Sequence, residues 1–273
     1  MLIKFWGVRG SIPTPQIENL WYGGNTPCIE IRSDNGNLLI IDCGSGLRLL
    51  GRHLAAERGS RPLEADILLS HYHWDHIQGL PFFVPLYSQI NRFHFHALES
   101  KETDLRQVLE GQMQTPYFPV EMRSLPAKCR FSSIGETSFS LKDFKVTTKL
   151  LNHPQGCLAF RIESGGRTLV YASDNEPGDK KGDHNVREIA RGADMLIYDA
   201  QFTPEQLTKE KKGWGHSSWE EGVRICEEVG AKQMVLYHHD PDRADNLVDE
   251  ILQMALKKFS VAQAAREGME IKI

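Results

Sequence analysis

No run of about 18 consecutive apolar residues occurs in this chain, so no membrane span is predicted. The five cysteines (Cys28, Cys43, Cys129, Cys157, Cys226) are scattered, odd in number and never spaced as CxxC. That spacing excludes a cysteine-based zinc knuckle and a disulfide framework, and reduced thiols are the expectation. An excess of one charge is also missing. A net charge of -4 and a pI near 6.3 give no overall pull toward nucleic acid or anionic membrane. There is no internal repeat, low-complexity tract or long linker. The opening Met-Leu-Ile-Lys-Phe-Trp-Gly enters a strand-like segment rather than a charged leader followed by an apolar run, so a cytoplasmic protein is expected. With 40% hydrophobic and 25% charged residues over 273 positions, the chain is expected to fold as a single domain over 1–273.

Residues 2–6, 28–32 and 38–41 read as strands, and Ser33-Asp34-Asn35-Gly36-Asn37 reads as a hairpin turn between the last two. A helix follows over 45–58 and stops before Gly59. Further strands are predicted at 66–69, 144–151, 158–163, 168–172, 195–198 and 234–237, with a tight Gly165-Gly166 turn between the third and fourth of these. Ser217 and Glu220 predict a capping box opening a helix that Gly230 ends, and a last helix is predicted over 245–258. Strands outnumber what a plain wound sheet needs. The pattern predicts an α/β fold of two mixed β-sheets packed together with helices on the outer faces. Residues 99–133 are the least regular stretch; a helix over 102–113 is expected there, and the stretch reads equally as an insertion covering the site or as a plain surface excursion.

What the chain has in quantity is histidine, 11 in all, and its placement is regular. His71 follows the strand-like Ile-Leu-Leu-Ser, His153 follows Val-Thr-Thr-Lys-Leu-Leu, and His238 follows Met-Val-Leu-Tyr. Asp174 and Asp199 likewise follow apolar strands. Groups on loops leaving strand ends converge on one rim of a sheet. Within His71-Tyr72-His73-Trp74-Asp75-His76, extended backbone points His71 and His73 the same way, and a following helical turn swings Asp75 and His76 toward a second position. Imidazole and carboxylate without thiolate suit Zn2+ first, with Mn2+ or iron as alternatives. Two divalent ions roughly 3.5–4 Å apart can hold a bridging hydroxide. Phe93-His94-Phe95-His96 also contains an HxH pair, but no carboxylate accompanies it in sequence, and strand alternation explains it.

The run His71-x-His73-x-Asp75-His76 resembles the signature of the metallo-β-lactamase superfamily, a set of hydrolases with a four-layer αββα sandwich. The resemblance covers nearly the whole chain. It implies that one ion is held by His71, His73 and His153, another by Asp75, His76 and His238, with Asp174 bridging. His239 competes with His238 for the last place. Asp42 resembles the early aspartate that buttresses the metal loop. Gly7-Val8-Arg9-Gly10-Ser11, Gly23-Gly24-Asn25-Thr26-Pro27-Cys28, Tyr198-Asp199-Ala200-Gln201-Phe202 and Gly215-His216-Ser217-Ser218 resemble the phosphodiesterase branch that includes ribonuclease Z and phosphoribosyl cyclic phosphate phosphodiesterase.

The resemblance thus implies a dinuclear metallohydrolase acting on a compact or cyclic phosphodiester, with catalytic Asp75, His216 as general acid and Asp199 orienting it. Aspartate stands at 174 where true β-lactamases of this superfamily have cysteine, which argues against antibiotic hydrolysis. No obvious tRNA-gripping arm is visible, and Asp199 replaces the branch's glutamate. A small phosphodiester is therefore the expected partner and nucleic acid the less favoured one. Alternatives are a lactone, ester or thioester hydrolase on the same metals, or a tRNA 3′-processing endoribonuclease. A homodimer is the assembly the resemblance raises.

Overall fold

The computed structural model describes residues 1–99 and 103–273. Its strands are β1 (Leu2–Gly7), β2 (Cys28–Arg32), β3 (Leu38–Ile41), β4 (Glu64–Leu68), β5 (Arg92–Leu98), β6 (Lys128–Ile134), β7 (Ser138–Leu141), β8 (Phe144–Leu151), β9 (Cys157–Ser164), β10 (Arg167–Ala172), β11 (Met195–Asp199), β12 (Met234–Tyr237), β13 (Ala262–Ala264) and β14 (Glu270–Lys272). The helices are α1 (Gly46–Arg58), α2 (Trp74–Ile77), α3 (Leu105–Gly111), α4 (Lys180–Ala190), α5 (Pro204–Lys209), α6 (Trp219–Val229) and α7 (Asp245–Lys258). They build two seven-stranded mixed sheets, ordered β14-β1-β2-β3-β4-β5-β6 and β13-β12-β11-β10-β9-β8-β7.

Period-two alternation decides the layers. Leu39 and Ile41 of β3 and Leu68 of β4 enter the core between the sheets, where they meet Val146, Phe160, Tyr171, Ile197 and Tyr237 of the second sheet. Their strand neighbours Leu38, Ile40, Ala65 and Ile67 face outward and pack with Leu47, Leu50 and Leu54 of α1. On the far side, Val170, Leu196, Leu236 and Met234 pack under α4, α6 and α7 through Val186, Val223, Cys226, Val248 and Ile251. The order is helix, sheet, sheet, helix, as the resemblance implied. Each fully buried Leu or Ile contributes roughly 1.5–3 kcal/mol by leaving water, so the inter-sheet core stiffens the rim on which the strands end.

Strands 28–32, 38–41, 144–151 and 234–237 and the helix 245–258 stand where the sequence puts them. Gly165 and Gly166, at φ of 58° and 74°, form the two-residue turn between β9 and β10. The cap of α6 is one residue later than expected. Ser218, not Ser217, accepts from Glu221 N, because Ser217 N is taken by Asp199. The irregular stretch 99–133 resolves into α3, a 3-10 turn (Met122–Ser124) and β6; part of the helix expected over 102–113 lies outside the described residues. Its Leu105, Leu109, Met113, Met122 and Leu125 pack on the outer face of the first sheet, so the stretch carries core-forming residues of its own. Sequence patterning missed β6, β7, β13 and β14. All four are edge strands of the two sheets, and β7 alternates only between exposed and half-buried positions.

Candidate metal centre

Six strands of common direction, β3, β4, β8, β10, β11 and β12, end on one rim, which carries Asp42, His71, His153, Asp174, Asp199 and His238. Asp42, Asp174 and His238 each have φ near +60° (59°, 59° and 60°), within two residues of the strand end. L-residues rarely adopt this left-handed turn, and Asp and His are among the few that tolerate it. It bends the chain sharply, so the first or second residue off the strand faces the rim.

The polar side chains meet in two adjoining groups. His71, His73 and His153 form one; Asp75, His76 and His238 form the other. Asp174 spans them, with Oδ1 3.9 Å from both His71 Nε2 and His153 Nε2, and Oδ2 3.4 Å from His76 Nε2. In the first group His73 Nδ1 lies 3.0 Å from His153 Nε2. In the second, His238 Nε2 lies 3.1 Å from Asp75 Oδ2 and 3.3 Å from His76 Nε2. The structure places His238 in this cluster and points His239 away, its Nε2 donating to Ala265 O at 2.9 Å. Burial, helped by the charge of Arg9, lowers the pKa of His239 to about 3.

The outer nitrogens are fixed. Asp42 Oδ2 lies 2.8 Å from His76 Nδ1, while accepting from Tyr171 OH at 2.7 Å and Ser70 Oγ at 2.9 Å. His153 Nδ1 donates to Gly215 O at 2.8 Å, and His238 Nδ1 to Gln201 Oε1 at 3.1 Å. These bonds leave Nε2 of His76, His153 and His238 facing inward as the lone-pair-bearing atom. Gly10 and Gly215 press on His238 and His153 so closely that an added Cβ would stand 2.5 and 2.3 Å from the respective Nδ1.

A divalent cation fits this chemistry. His71 Nε2 is buried without a hydrogen-bond partner among the described residues. Inward nitrogens and oxygens lie 3.0–3.9 Å apart, close to the roughly 3.3–3.5 Å between ligands of a tetrahedral ion with bonds near 2.0–2.1 Å. Burial, with His76 adding to it, holds the pKa of His71 well below its usual value, which keeps a neutral lone pair. Burial also works against the charged forms of Asp75 and Asp174, but the surrounding imidazoles prevail and hold both pKa values well below the usual range. His76 goes the other way: against burial, Asp75, Asp174 and Asp42 raise its pKa well above the usual value. A cation there would take the place of that proton.

Beside the cluster stands a His–Asp pair. His216 Nδ1 lies 2.8 Å from Asp199 Oδ2. That carboxylate is itself held by three backbone N–H groups, from Asp174 (3.1 Å), Gln201 (3.0 Å) and Ser217 (3.1 Å). Burial disfavours the imidazolium of His216, but Asp199, Asp174 and Asp75 outweigh it and hold its pKa up at about 9.

Sequence reading gave no role to Gln201 or Ser11. Ser11 N donates to Asp75 Oδ2 at 2.7 Å and its Oγ accepts from Gln201 Nε2 at 3.2 Å, so both buttress the second group. Gln155 Oε1 at 2.9 Å does the same for His73 Nε2, and Glu176 accepts from Gly213 N and Gly215 N in the loop before His216. Ser11 and Gln201 lie inside the quoted motifs and Gln155 and Glu176 two residues past His153 and Asp174, and that placement was the available signal.

Residues 37–239 match the family model described as the beta-lactamase superfamily domain, and the chain belongs to that superfamily. It is similar end to end to proteins named Ribonuclease Z. One from Methanosarcina acetivorans is 25% identical over 315 residues (99% of this chain, 97% of the relative), and one from Haloarcula marismortui is 25% identical over 321 (100% and 97%). Among solved structures it resembles the metallo-beta-lactamase fold protein YhfI from Bacillus subtilis (TM-score 0.73, 21% identity, 99% and 98% covered). It also resembles a diphosphatase from the PhnP family (0.70, 20%, 99% and 96%) and the short form of human tRNase Z (0.70, 19%, 100% and 99%). These structural likenesses bear on the fold.

Proposed function

We propose that the chain is a dinuclear-metal phosphodiesterase acting on a compact or cyclic phosphodiester. The observation that carries this reading is the Asp199–His216 pair set against Asp174, because an alkoxide leaving phosphorus needs a proton and a pre-aligned imidazolium can deliver it. In this reading His71, His73 and His153 would hold one ion and Asp75, His76 and His238 the other, with Asp174 available to both and Zn2+ the preferred metal. Two such ions supply Lewis acidity toward a phosphoryl oxygen and lower the pKa of water.

The protein's own groups do the rest. Asp199, immobilised by three N–H groups, fixes the His216 ring with Nδ1–H toward itself, so the proton to be delivered sits at Nε2. Ser11 N–H holds Asp75 without reorganisation. His216→Ala tests the assignment: turnover of an alkyl phosphodiester should collapse while that of bis(p-nitrophenyl) phosphate, whose leaving group needs no acid, largely survives. Equal losses on both would overturn the role of His216.

A second reading, tRNA 3′ processing, is supported by the end-to-end similarity to proteins named Ribonuclease Z. Against it, the first of those alignments spans 315 positions whereas this chain has 273, so the relative carries segments absent here. Cleavage of a precursor tRNA by the purified protein would move the assignment to that reading. Among the described residues no helix is long and apolar enough to cross a membrane, and all five cysteines are free, which fits the cytoplasmic placement we propose. The exposed Ile17, Leu20 and Trp21 motivate the homodimer proposal, checked by sedimentation velocity.

A further inference from the structure

At the opposite end of the first sheet, β4, β5 and β6 form a second cluster that the HxH motif only hinted at. The parallel register sets Glu64 beside Arg92 beside Lys128, and Asp66 beside His94 beside Arg130. Asp66 is the carboxylate that the sequence lacked near this motif. Its Oδ1 lies 3.0 Å from His96 Nε2 and 3.5 Å from His94 Nδ1, while His94 Nε2 lies 2.8 Å from Ser132 Oγ. Asp66 and His94 line a cleft of about 240 Å³, and Lys142 from the β7–β8 turn lines another side. Asp66 and the rim of the metal centre at His71 are separated by five residues, roughly 17 Å of extended chain. The cleft therefore lies outside the reaction volume.

The His–His–Asp spacing alone would suit a cation. The surroundings do not. Arg92, Lys128, Arg130 and Lys142 line the cleft against only Glu64 and Asp66, a surplus of two positive charges. Glu64 is shared between Arg92 (3.5 Å) and Lys142 (3.7 Å), and Asp66 is taken up by the two imidazoles. Lys128 and Arg130 have no ion-pair partner among the described residues, in a chain whose net charge is -4. His94 does not add to the charge, since burial and then His96 lower its pKa. We infer that this cleft is a binding site for a dianionic phosphate group, that of inorganic phosphate or of a phosphate monoester. Two unpaired cations match the charge of the ligand, Arg130 offers the planar fork that pairs with phosphate oxygens, and the His94 imidazole lines the same cleft.

The inference does not depend on the proposed activity, and its test is a count of bound phosphate. The metal-loaded protein is titrated by equilibrium dialysis with inorganic phosphate and, separately, with ribose 5-phosphate, alongside Lys128→Ala/Arg130→Ala. Both substituted positions are exposed and remote from the metal centre. The wild type should show one more phosphate-binding class per chain than the double variant, or bind it at least tenfold more tightly, with turnover of bis(p-nitrophenyl) phosphate unchanged. Tighter binding of ribose 5-phosphate than of inorganic phosphate would assign the site to monoesters, and equal binding to the phosphate group alone. Identical binding by wild type and double variant would overturn the inference. So would a third equivalent of zinc in the wild type that His94→Ala removes, which would make the cluster a cation site. Absence of any phosphodiester turnover would sink the proposed function and leave this count untouched.

Discussion

Two clusters of histidine and aspartate occupy opposite strand ends of the sandwich, and they differ less in donor geometry than in what surrounds them. At the C-terminal rim the carboxylates of Asp42, Asp75, Asp174 and Asp199 bond only to imidazoles, hydroxyls and backbone N–H groups, with no Lys or Arg within ion-pair reach among the described residues. At the other end Arg130 and three further cations stand around Asp66, His94 and His96. A unit charge about 6 Å from another at an effective dielectric near 20 is worth roughly 3 kcal/mol, about two orders of magnitude in affinity. The surrounding charge, rather than the spacing of the ligand atoms, therefore decides which end suits a cation.

The comparison can be broken most severely at the rim. Asp75→Ala removes a carboxylate from the second group and should lower metal content, read by elemental analysis, from about two ions to about one per chain. Phosphodiester turnover should fall by three orders of magnitude or more. Full metal occupancy in that variant would remove Asp75 from the ligand set.

His216→Ala should cost roughly 10²–10⁴ in kcat on an alkyl phosphodiester and under about tenfold on a p-nitrophenyl ester. The pH profile sharpens the same point. The folded pKa is raised from 6.5 to about 9, so the acid form is present below that value and lost as pH rises through it. Bound cations would pull it lower. The wild type should accordingly lose alkyl-ester activity on a basic limb at or below about pH 9, and His216→Ala should lack that limb.

Gln201→Leu leaves every proposed ligand in place and removes the acceptor of His238 Nδ1–H together with the donor to Ser11 Oγ. We expect about 10–100-fold weaker binding of one of the two ions in a chelator competition, as for the loss of other groups that orient a ligand. An unchanged affinity would mean that packing by Gly10 holds the ring unaided. Smallest of all, His96→Ala at the other end should leave metal content at two and turnover intact. It should cost roughly 1–3 kcal/mol in urea unfolding, because it leaves the carboxylate of Asp66 without its closest donor.

The four-layer order and the convergence of the candidate ligands were legible because both follow short-range rules. Apolar alternation marks the strands, and the polar residue after each strand marks the rim, which is why His71, His153, Asp174, Asp199 and His238 could be picked out by eye. Long-range pairing was not legible. Asp66 reaches His94 and His96 across a parallel register that joins residues 28 positions apart, and no local pattern encodes that partnership. Gln201 and Ser11, 190 positions apart, meet only once the sandwich has closed. The cap of α6 was misplaced by one residue for a related reason: Asp199, distant in sequence, had already claimed Ser217 N.

The left-handed turns at Asp42, Asp174 and His238 make alanine a poor control at those positions. Removing the side chain also puts a residue with no tolerance for positive φ into a backbone that requires it, at a cost of about 1–2 kcal/mol unrelated to the ligand. Asparagine, which accepts the left-handed region and keeps the shape of aspartate, separates the two losses at Asp42 and Asp174. Glycine and asparagine, compared side by side, do so at His238. An alanine scan of this rim would overstate the contribution of these three side chains relative to His71, His73 and His153, whose backbones carry no such demand.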